Sequence, residues 1–341
     1  MVAIRMLQAV VVKGTAMKLL RRQFLHLAAG AAALPFAPYV ARAQAYPTRP
    51  VRIIVGFPAG TFADLVARRL GQWLSDRLGQ PFVIDNRPGA GSNIAAEAVA
   101  KSPPDGYTLL LITAANTIGV TLYSKLNFNF IRDIAPVASV SRNPFVMEVN
   151  PSVPAKTVPE FIDYAKGNPG KIAMASSGNG TLSHVAGELF KMMTAVDMVH
   201  VPYRGDAPSL TDLLSGQVQV GFQNLPASIE HIRAGKVRAL AMTSAARQEI
   251  LSELPTVGEF FPGYEASGWA GLGAPKGTPA EIIAQLNKEI NAGLADPRVE
   301  AWFVNQGNSV LAHSPAEFGN LITEETDKWA KVIKFAGIKR E

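Results

Sequence analysis

Short apolar runs alternate with amphipathic stretches along the first third of the mature sequence. Residues 51–55 (VRIIV) are mostly apolar, and residues 63–78 carry apolar side chains at spacings of three and four, which places them on one face of a helix. The predicted elements in chain order are a strand at 51–55, a helix at 63–78, a strand at 82–84, a helix at 93–101 and a strand at 107–112. This order is typical of a mostly parallel β-sheet with crossover helices, so it predicts an α/β fold.

The same rhythm restarts after a proline-containing stretch at residues 143–159. The elements predicted there are a strand at 171–175, a helix at 182–194 and strands at 198–201, 218–222 and 237–242. Three further helix starts match a capping box. In this motif a Ser or Thr hydroxyl accepts from the backbone N–H of a glutamate three residues later, and the glutamate side chain accepts from the backbone N–H of the Ser or Thr. The hydroxyl residues are Thr157, Thr278 and Ser314.

Composition and charge narrow the classes of function. The chain has 341 residues, of which 48% are hydrophobic and 18% charged, as in folded proteins of about two domains. The net charge of +6 comes entirely from residues 1–43, which contain six Lys and Arg residues and no Asp or Glu. The remainder is formally neutral, so nothing indicates a nucleic-acid partner. The absence of cysteine excludes disulfides, thiolate catalysis and Cys-ligated metals.

Residues 1–43 have the order of an export signal. From Met17, a charged start precedes a short apolar stretch and the small-x-small cleavage site Ala41-Arg42-Ala43. The apolar stretch is shorter than the roughly 20 residues of a membrane-spanning helix, so we expect cleavage near Ala43 and a soluble periplasmic protein. Arg21 and Arg22 resemble the twin-arginine export signature, with a Sec signal as the alternative. Residues before Met17 are expected to be an over-long gene start.

Two strand-to-helix loops share one local design. The strand at 51–55 leads into GFPAGT (56–61), and the strand at 171–175 leads into SSGNGT (176–181). Glycines let the backbone approach a ligand closely, and the N-terminus of the following helix presents free N–H groups with a partial positive charge. Either loop alone is an ordinary turn of an α/β fold. The pair predicts a cleft that closes on an anion such as a carboxylate.

The order of several motifs resembles the Bug family, the periplasmic substrate-binding proteins of tripartite tricarboxylate transporters. The motifs are GFPAG (56–60) with Asp64, DNRPGAGSN (85–93), PDGY (104–107), SSGNGT (176–181), HVPYRG (200–205), NLP (224–226), APKGTP (274–279) and AGIK (336–339). Each motif is weak alone, but the resemblance extends from residue 46 to residue 341.

The resemblance implies a type II periplasmic binding protein fold, with two α/β domains and a ligand cleft between them. The implied first domain comprises residues 44–143 and 268–341, and the second comprises residues 144–267. The implied function is a monomeric receptor that binds a small organic carboxylate and delivers it to the membrane subunits of the transporter. Neither a cofactor nor a metal is expected.

In this family, backbone amides of the two loops hold the ligand carboxylate, often with ordered water. Carried onto this sequence, the implied contact residues are Phe57, Ala59, Gly60, Thr61, Phe62, Ser176, Ser177, Gly178, Asn179, Gly180 and Thr181. The family usually has glycine where Thr61 stands. If that position requires a positive φ, Thr61 is strained; otherwise it caps the helix, as Thr181 would. Phe62 either narrows the cleft and stacks on an aromatic acid, or is an exposed loop residue.

Five further side chains are candidate ligand contacts, and four of them have a structural alternative. Asp64 also suits the first turn of its helix, and Asn93 also suits an N-cap. His184 contacts the ligand or shapes the second loop, or else is a polar group facing the core. Arg204 pairs with a second carboxylate or is a solvated surface residue. Gln223 stands where relatives commonly have Asp, which favours ligands without an amino group.

Two other classes of function stay open. A hydrolase or lyase acting on a carboxylate is disfavoured because the mature sequence has neither an HExxH motif nor a Gly-x-Ser-x-Gly nucleophile elbow. A catalytic set can nevertheless assemble from distant residues. A sensory receptor that docks on a signalling partner would use the same ligand-bound state as a transport receptor, so the sequence does not separate the two.

Overall fold

The computed structural model describes residues 46–123 and 125–339. The predicted export signal, its twin-arginine motif, Met17 and the cleavage site at Ala43 lie outside these residues. Within the described residues, no helix is both long enough and apolar enough to cross a membrane.

Strands and helices alternate as the hydrophobic pattern predicts. The strands are β1 (Val51–Val55), β2 (Phe82–Asn86), β3 (Thr108–Thr113), β4 (Ile134–Asn143), β5 (Phe145–Val149), β6 (Ile172–Ser176), β7 (Met198–Pro202), β8 (Val220–Asn224), β9 (Arg238–Met242), β10 (Gly268–Pro275) and β11 (Ser309–Val310). The helices are α1 (Phe62–Leu78), α2 (Asn93–Ala100), α3 (Ala114–Leu122), α4 (Phe130–Asp133), α5 (Val158–Lys166), α6 (Leu182–Thr194), α7 (Asp206–Ser215), α8 (Leu225–Arg233), α9 (Ala280–Leu294), α10 (Pro297–Asn305) and α11 (Pro315–Ala336). The predicted elements are confirmed, with ends that differ by at most a few residues.

The strands form two mixed sheets. The first has the order β11-β4-β10-β3-β1-β2, in which β1, β2 and β3 are parallel and β10 is antiparallel to its neighbours β3 and β4. The second has the order β7-β6-β8-β5-β9, in which β6, β7 and β8 are parallel and β5 is antiparallel to β8 and β9. The chain therefore has the predicted α/β fold, built around two separate sheets. The prediction of mostly parallel pairing is wrong, because five of the nine strand pairs in the described residues are antiparallel and all five involve β4, β5 or β10.

The chain passes between the sheets at two adjacent segments. Only Pro144 separates β4 from β5, and the return runs from Met242 to Gly268. At the crossing, the Thr243 hydroxyl lies 3.0 Å from the Phe145 carbonyl and 2.7 Å from the Ala266 carbonyl. Thr243 is fully buried, so it fixes the spacing of the two crossing segments.

Helices α3 and α11 pack on both sheets. Ala114, Phe318 and Ile322 belong to a core cluster on the first sheet, whereas Ile118 and Trp329 belong to the core of the second. The sheets are therefore coupled by shared helices as well as by the two crossing segments, and residues 46–123 and 125–339 belong to one compact unit.

The three predicted capping boxes have different outcomes. The Ser314 box is complete, with both reciprocal hydrogen bonds present. The Thr157 hydroxyl accepts from the Glu160 backbone N–H, as predicted. The Glu160 carboxylate, however, accepts from the backbone N–H of Lys156 instead of that of Thr157. The Thr278 prediction is wrong. Its hydroxyl donates to the carbonyl of Pro275, and α9 begins two residues later behind Pro279.

Candidate functional site

The first loop (residues 57–62) and the second loop (residues 176–181) have nearly identical backbones where each meets its helix. Gly60 and Gly180 have φ of +82° and +70°, in the left-handed region that favours glycine. Thr61 and Thr181 both have φ −75° and ψ 163°. The sequence duplication is therefore a structural duplication, and Thr61 is not strained because Gly60 is the residue with positive φ.

The two threonines do not cap their helices through their side chains, contrary to the alternative considered for Thr61. Each hydroxyl instead donates to the carbonyl three residues earlier, Pro58 at 2.8 Å and Gly178 at 2.7 Å. Each threonine backbone N–H also donates to that same carbonyl. The threonines therefore close the two loops as compact turns.

A side chain one helical turn later accepts the glycine N–H in each loop. The Gly60 N–H donates to Asp64 Oδ2 at 2.9 Å, and the Gly180 N–H donates to His184 Nδ1 at 3.0 Å. The two loops thus use different residue types, a carboxylate and an imidazole, for the same bond. Because Nδ1 accepts, the proton of a neutral His184 ring lies on Nε2.

Asp64 anchors the first loop. Its side chain is buried, and Oδ2 also accepts from Arg68 at 2.9 Å, while Oδ1 accepts from Asn86 at 2.9 Å. Burial raises the pKa of Asp64, but the hydrogen bonds from Arg68, Gly60 and Asn86 outweigh it and the pKa is lowered. Both carboxylate oxygens have protein donors, so the structural alternative for Asp64 fits this geometry.

His184 is stacked on His200 behind the second loop. The two rings are parallel, with centroids 3.6 Å apart, and His200 Nε2 lies 2.6 Å from the Ser176 hydroxyl. Burial lowers the pKa of His184 to about 3, helped by His200 and Lys191, and burial lowers that of His200 to about 4. Both rings are therefore neutral at neutral pH. Sequence reasoning missed His200, although the motif HVPYRG contains it.

Several amides at the two loops remain available to a ligand. Some backbone N–H groups donate to no acceptor within residues 46–123 and 125–339. In the first loop and α1 they are those of Ala59, Phe62 and Ala63, and in the second loop and α6 those of Asn179, Leu182 and Ser183. The first N–H groups of a helix have no partner within the helix, and they carry the positive end of its dipole. Both loops can therefore donate to an anion.

A chain of close contacts connects the two loops. A Cβ added to Gly56 would overlap Ser92, and one added to Gly91 would lie 3.0 Å from the Tyr123 hydroxyl oxygen. A Cβ added to Gly180 would overlap Leu122, the neighbour of Tyr123. The end of α3 is thus packed between the segment beside the first loop and the second loop itself.

The segment at residues 89–92 is the most unusual backbone of the site. Gly89, Ala90, Gly91 and Ser92 have φ of +129°, +49°, +60° and +74°. Such values are rare for Ala and Ser and persist only where surrounding contacts impose them, often at functional sites. The Ser92 hydroxyl is also fully buried, with no hydrogen-bond partner in the described part of the chain. Sequence reasoning recognised the glycines here but not Ala90 or Ser92.

The other predicted loop residues differ in exposure. Ala59 and Asn179 are exposed at the loop tips, whereas Ser176 is buried below the second loop. Ser177 is half-buried, and its N–H donates to Ser183 Oγ at 2.9 Å. Phe57 and Phe62 are half-buried against the core of the first sheet, so the alternative of Phe62 as an exposed loop residue is wrong. This packing also restricts how far the Phe62 ring can reach a ligand.

Asn93, Arg204 and Gln223 lie in three different environments. Asn93 is the first residue of α2, not its cap, and its amide donates to the Ala90 carbonyl at 2.8 Å. Arg204 is exposed and makes no ion pair within the described residues, while the next residue, Gly205, donates its N–H to the Ser177 carbonyl of the second loop. Gln223 is fully buried and donates to Ser209 Oγ of α7 at 2.8 Å. This bond gives Gln223 a structural role, and its effect on ligand choice stays a prediction.

Comparisons with known proteins agree on one family. A family model described as "Tripartite tricarboxylate transporter family receptor" matches residues 66–338. The structure of Rpa4515 from R. palustris with adipate is similar, with 39% identity and a TM-score of 0.74 over 86% of this chain and 99% of that chain. The periplasmic binding protein BugD is 34% identical with a TM-score of 0.71, over 87% of this chain and all of the other. MatC from Rhodopseudomonas palustris with bound malate is 31% identical with a TM-score of 0.71, over 84% of this chain and all of the other.

Proposed function

Because the chain belongs to the receptor family of the tripartite tricarboxylate transporters, we propose that it binds one small organic carboxylate between its two glycine loops and delivers it to the membrane subunits of such a transporter. The observation that carries this proposal is the structural duplication of the loops, each with unpaired amides at the N-terminus of a helix. Two such termini facing one anion would supply donors and positive potential from both sides. Adipate and malate in the two solved relatives support this ligand class.

The remaining residues divide into those that shape the loops and those that reach the ligand. Asp64 and His184 accept the glycine N–H groups and so position the first and second loops. Arg204 is an exposed cation whose neighbour Gly205 bonds the second loop, and this supports a role in pairing with a second carboxylate of the ligand. Backbone donors recognise a carboxylate whatever the rest of the ligand is. Side chains around the loops therefore decide which acid is preferred.

We infer that each sheet is the centre of one domain, with residues 44–143 and 268–341 in the first and residues 144–267 in the second. The adjacent crossing segments at Pro144 and between Met242 and Gly268 support this division. Because the loops belong to opposite sheets, approach of the domains would close both on the ligand. The protein acts as a monomer in the periplasm, and it releases the acid unchanged.

A binding panel on the mature protein tests the proposal. Thermal unfolding is measured with adipate, malate, citrate and glutamate, and the bound acid is recovered and identified. A ligand at 100 times its dissociation constant adds about 2.7 kcal/mol to the free energy of unfolding. We expect a stabilisation confined to one class of carboxylate, with the acid recovered unchanged. Conversion of the acid would contradict the receptor function, and no shift with protein stripped of bound ligand by unfolding and refolding would contradict carboxylate binding.

Gly235→Ala serves as a matched control for substitutions in the loops. Gly235 has φ of +65° and open space around it, as Gly60 does with φ of +82°, but it lies in the turn between α8 and β9. Gly60→Ala and Gly235→Ala should therefore lose similar stability, while only Gly60→Ala should weaken binding of the acid. Equal binding by both variants would exclude the first loop from the site.

A further inference from the structure

A cavity of about 580 Å³ lies between helices α1 and α10, away from the two loops. Arg69, Trp73, Arg77, Arg298 and Val299 contribute to its lining. Trp73 stands eleven residues after the start of α1, which at 1.5 Å per residue is roughly 16 Å along the helix from the first loop. We name this cavity the Trp73 pocket.

The aromatic wall of the Trp73 pocket is held in place. Trp73 Nε1 donates to the Glu289 carbonyl at 2.8 Å. The ring lies so close to α9 that a Cβ added to Gly293 would approach Trp73 Nε1 to 2.6 Å. The Arg77 guanidinium lies 5.9 Å from the ring centroid and is fixed by an ion pair of 2.9 Å with Glu289. The wall is therefore in position before any ligand arrives, which lowers the entropic cost of binding.

Arg69 is a half-buried cation in the lining of the same pocket. Its Nε is buried without an acceptor in the part of the chain that the structure describes, and Arg69 makes no ion pair there. The other two arginines of the lining have partners, Arg77 with Glu289 and Arg298 with Asp296 at 2.8 Å. Asp76, also in the lining, accepts from Gln72 at 2.7 Å. Arg69 is therefore the arginine of the lining that has no carboxylate partner within the described residues.

We propose that the Trp73 pocket is a second ligand site, which takes a small carboxylate with a flat apolar body. The carboxylate pairs with the Arg69 guanidinium, whose planar donors match carboxylate geometry. The apolar body lies against Trp73, which adds apolar and ring contacts. The volume is within the usual range of about 300–1,000 Å³ for small-molecule sites. This site is independent of the carboxylate proposed for the two loops.

Titration of the mature protein with benzoate, followed in ¹H–¹⁵N spectra, tests the proposal. We expect saturable shifts of the Trp73 indole N–H and the Arg69 Nε–H, with the Leu182 and Ser183 amides of the second loop site unchanged by that binding event. Benzoate shifts confined to the loop amides would overturn the proposal, since benzoate would then occupy only the site between the loops.

Arg69→Gln removes the charge and should weaken the binding that shifts the Trp73 indole at least tenfold. Arg132→Gln is the matched control, because Arg132 is 74% exposed and paired with Asp133 on the short helix α4. It should bind benzoate as the unmodified protein does. Unchanged affinity in Arg69→Gln would overturn the proposal. A loss in Arg69→Gln accompanied by shifts throughout the backbone would mean that Arg69 is structural, and would overturn it as well. If benzoate does not bind the Trp73 pocket, the thermal stabilisation by the transported acid is still expected. The two proposals are therefore tested separately.

Discussion

Replacing Gly180 with alanine separates two reasons for glycine in the second loop. The first reason is its φ of +70°, which disfavours any residue with a Cβ, and the second is contact with Leu122. Gly60 of the first loop has a similar φ of +82° but no heavy atom within 4 Å of an added Cβ. Gly60→Ala therefore measures the backbone cost alone, and Gly180→Ala measures that cost together with the contact.

The structure gives the expected sizes of both effects. A left-handed alanine costs about 1–2 kcal/mol, part of which is recovered because alanine restricts the unfolded chain more than glycine does. Gly60→Ala should thus lose about 1 kcal/mol. The Cβ in Gly180→Ala overlaps Leu122, and overpacking of this kind costs about 1–3 kcal/mol more. We expect Gly180→Ala to be the less stable variant by that margin.

Urea unfolding of the two variants, of Leu122→Ala and of the double variant Gly180→Ala/Leu122→Ala tests this reasoning. Shortening Leu122 removes the overlapping atoms, so the double variant should be more stable than the sum of the single effects predicts, by about 1–3 kcal/mol. Equal stabilities of Gly60→Ala and Gly180→Ala, or additive effects of Gly180→Ala and Leu122→Ala, would refute the packing of α3 against the second loop.

Three further substitutions test the electrostatics of the molecule. Arg204→Gln should weaken dicarboxylate binding about tenfold and leave monocarboxylate binding unchanged in calorimetric titrations, because the second carboxylate loses its cation; equal losses for both ligands would contradict this role. The pKa of His184 is lowered to about 3, so below pH 6.5 the unfolded chain binds a proton that the folded chain does not, and acidification should remove stability by up to about 1.4 kcal/mol per pH unit. His184→Asn, which keeps an acceptor for the Gly180 N–H, should flatten that decline in urea unfolding at pH 7, 6 and 5, and an unchanged slope would refute the account. Burial raises the pKa of Glu148 to about 8, so the folded chain holds an extra proton between pH 4.5 and 8 and stability falls as pH rises through that range. The free energy of unfolding of Glu148→Gln should therefore rise relative to that of the unmodified protein by about 1.4 kcal/mol for each unit of increase in pH. A stability difference that does not change with pH would show that the Glu148 carboxyl is ionised in the folded protein.

The sheets and the two loops follow from local sequence signals. Apolar runs such as residues 51–55 are buried whichever helix covers them, and their alternation with helices predicts the parallel pairs within each sheet. The antiparallel pairs involve β4, β5, β9, β10 and β11, and no local pattern predicts them. Gly60 and Gly180 are recognisable because the turn before each helix needs a positive φ, which glycine adopts without strain. These signals reside within a few residues of each other, so one sequence is enough to detect them.

Contacts between distant segments could not be predicted in this way. His200 reaches His184 only because β7 is the neighbour of β6 in the second sheet, and no local pattern states that pairing. Gln223 is buried and bonds Ser209 of α7, a contact that the sequence pattern around NLP does not indicate. The left-handed conformation of Ser92 opposes its residue preference and is imposed by packing against Gly56. The partners of these side chains are fixed by tertiary structure.

The central claim is that one carboxylate is held by both loops at once. ¹H–¹⁵N spectra recorded during titration with the acid that gives the largest thermal shift test it directly. The account predicts that the amides of Phe62 and Ala63 in α1 and those of Leu182 and Ser183 in α6 shift together, with one common saturation curve. Shifts at only one of the two loops, or at neither loop while the acid still stabilises the protein, would contradict it.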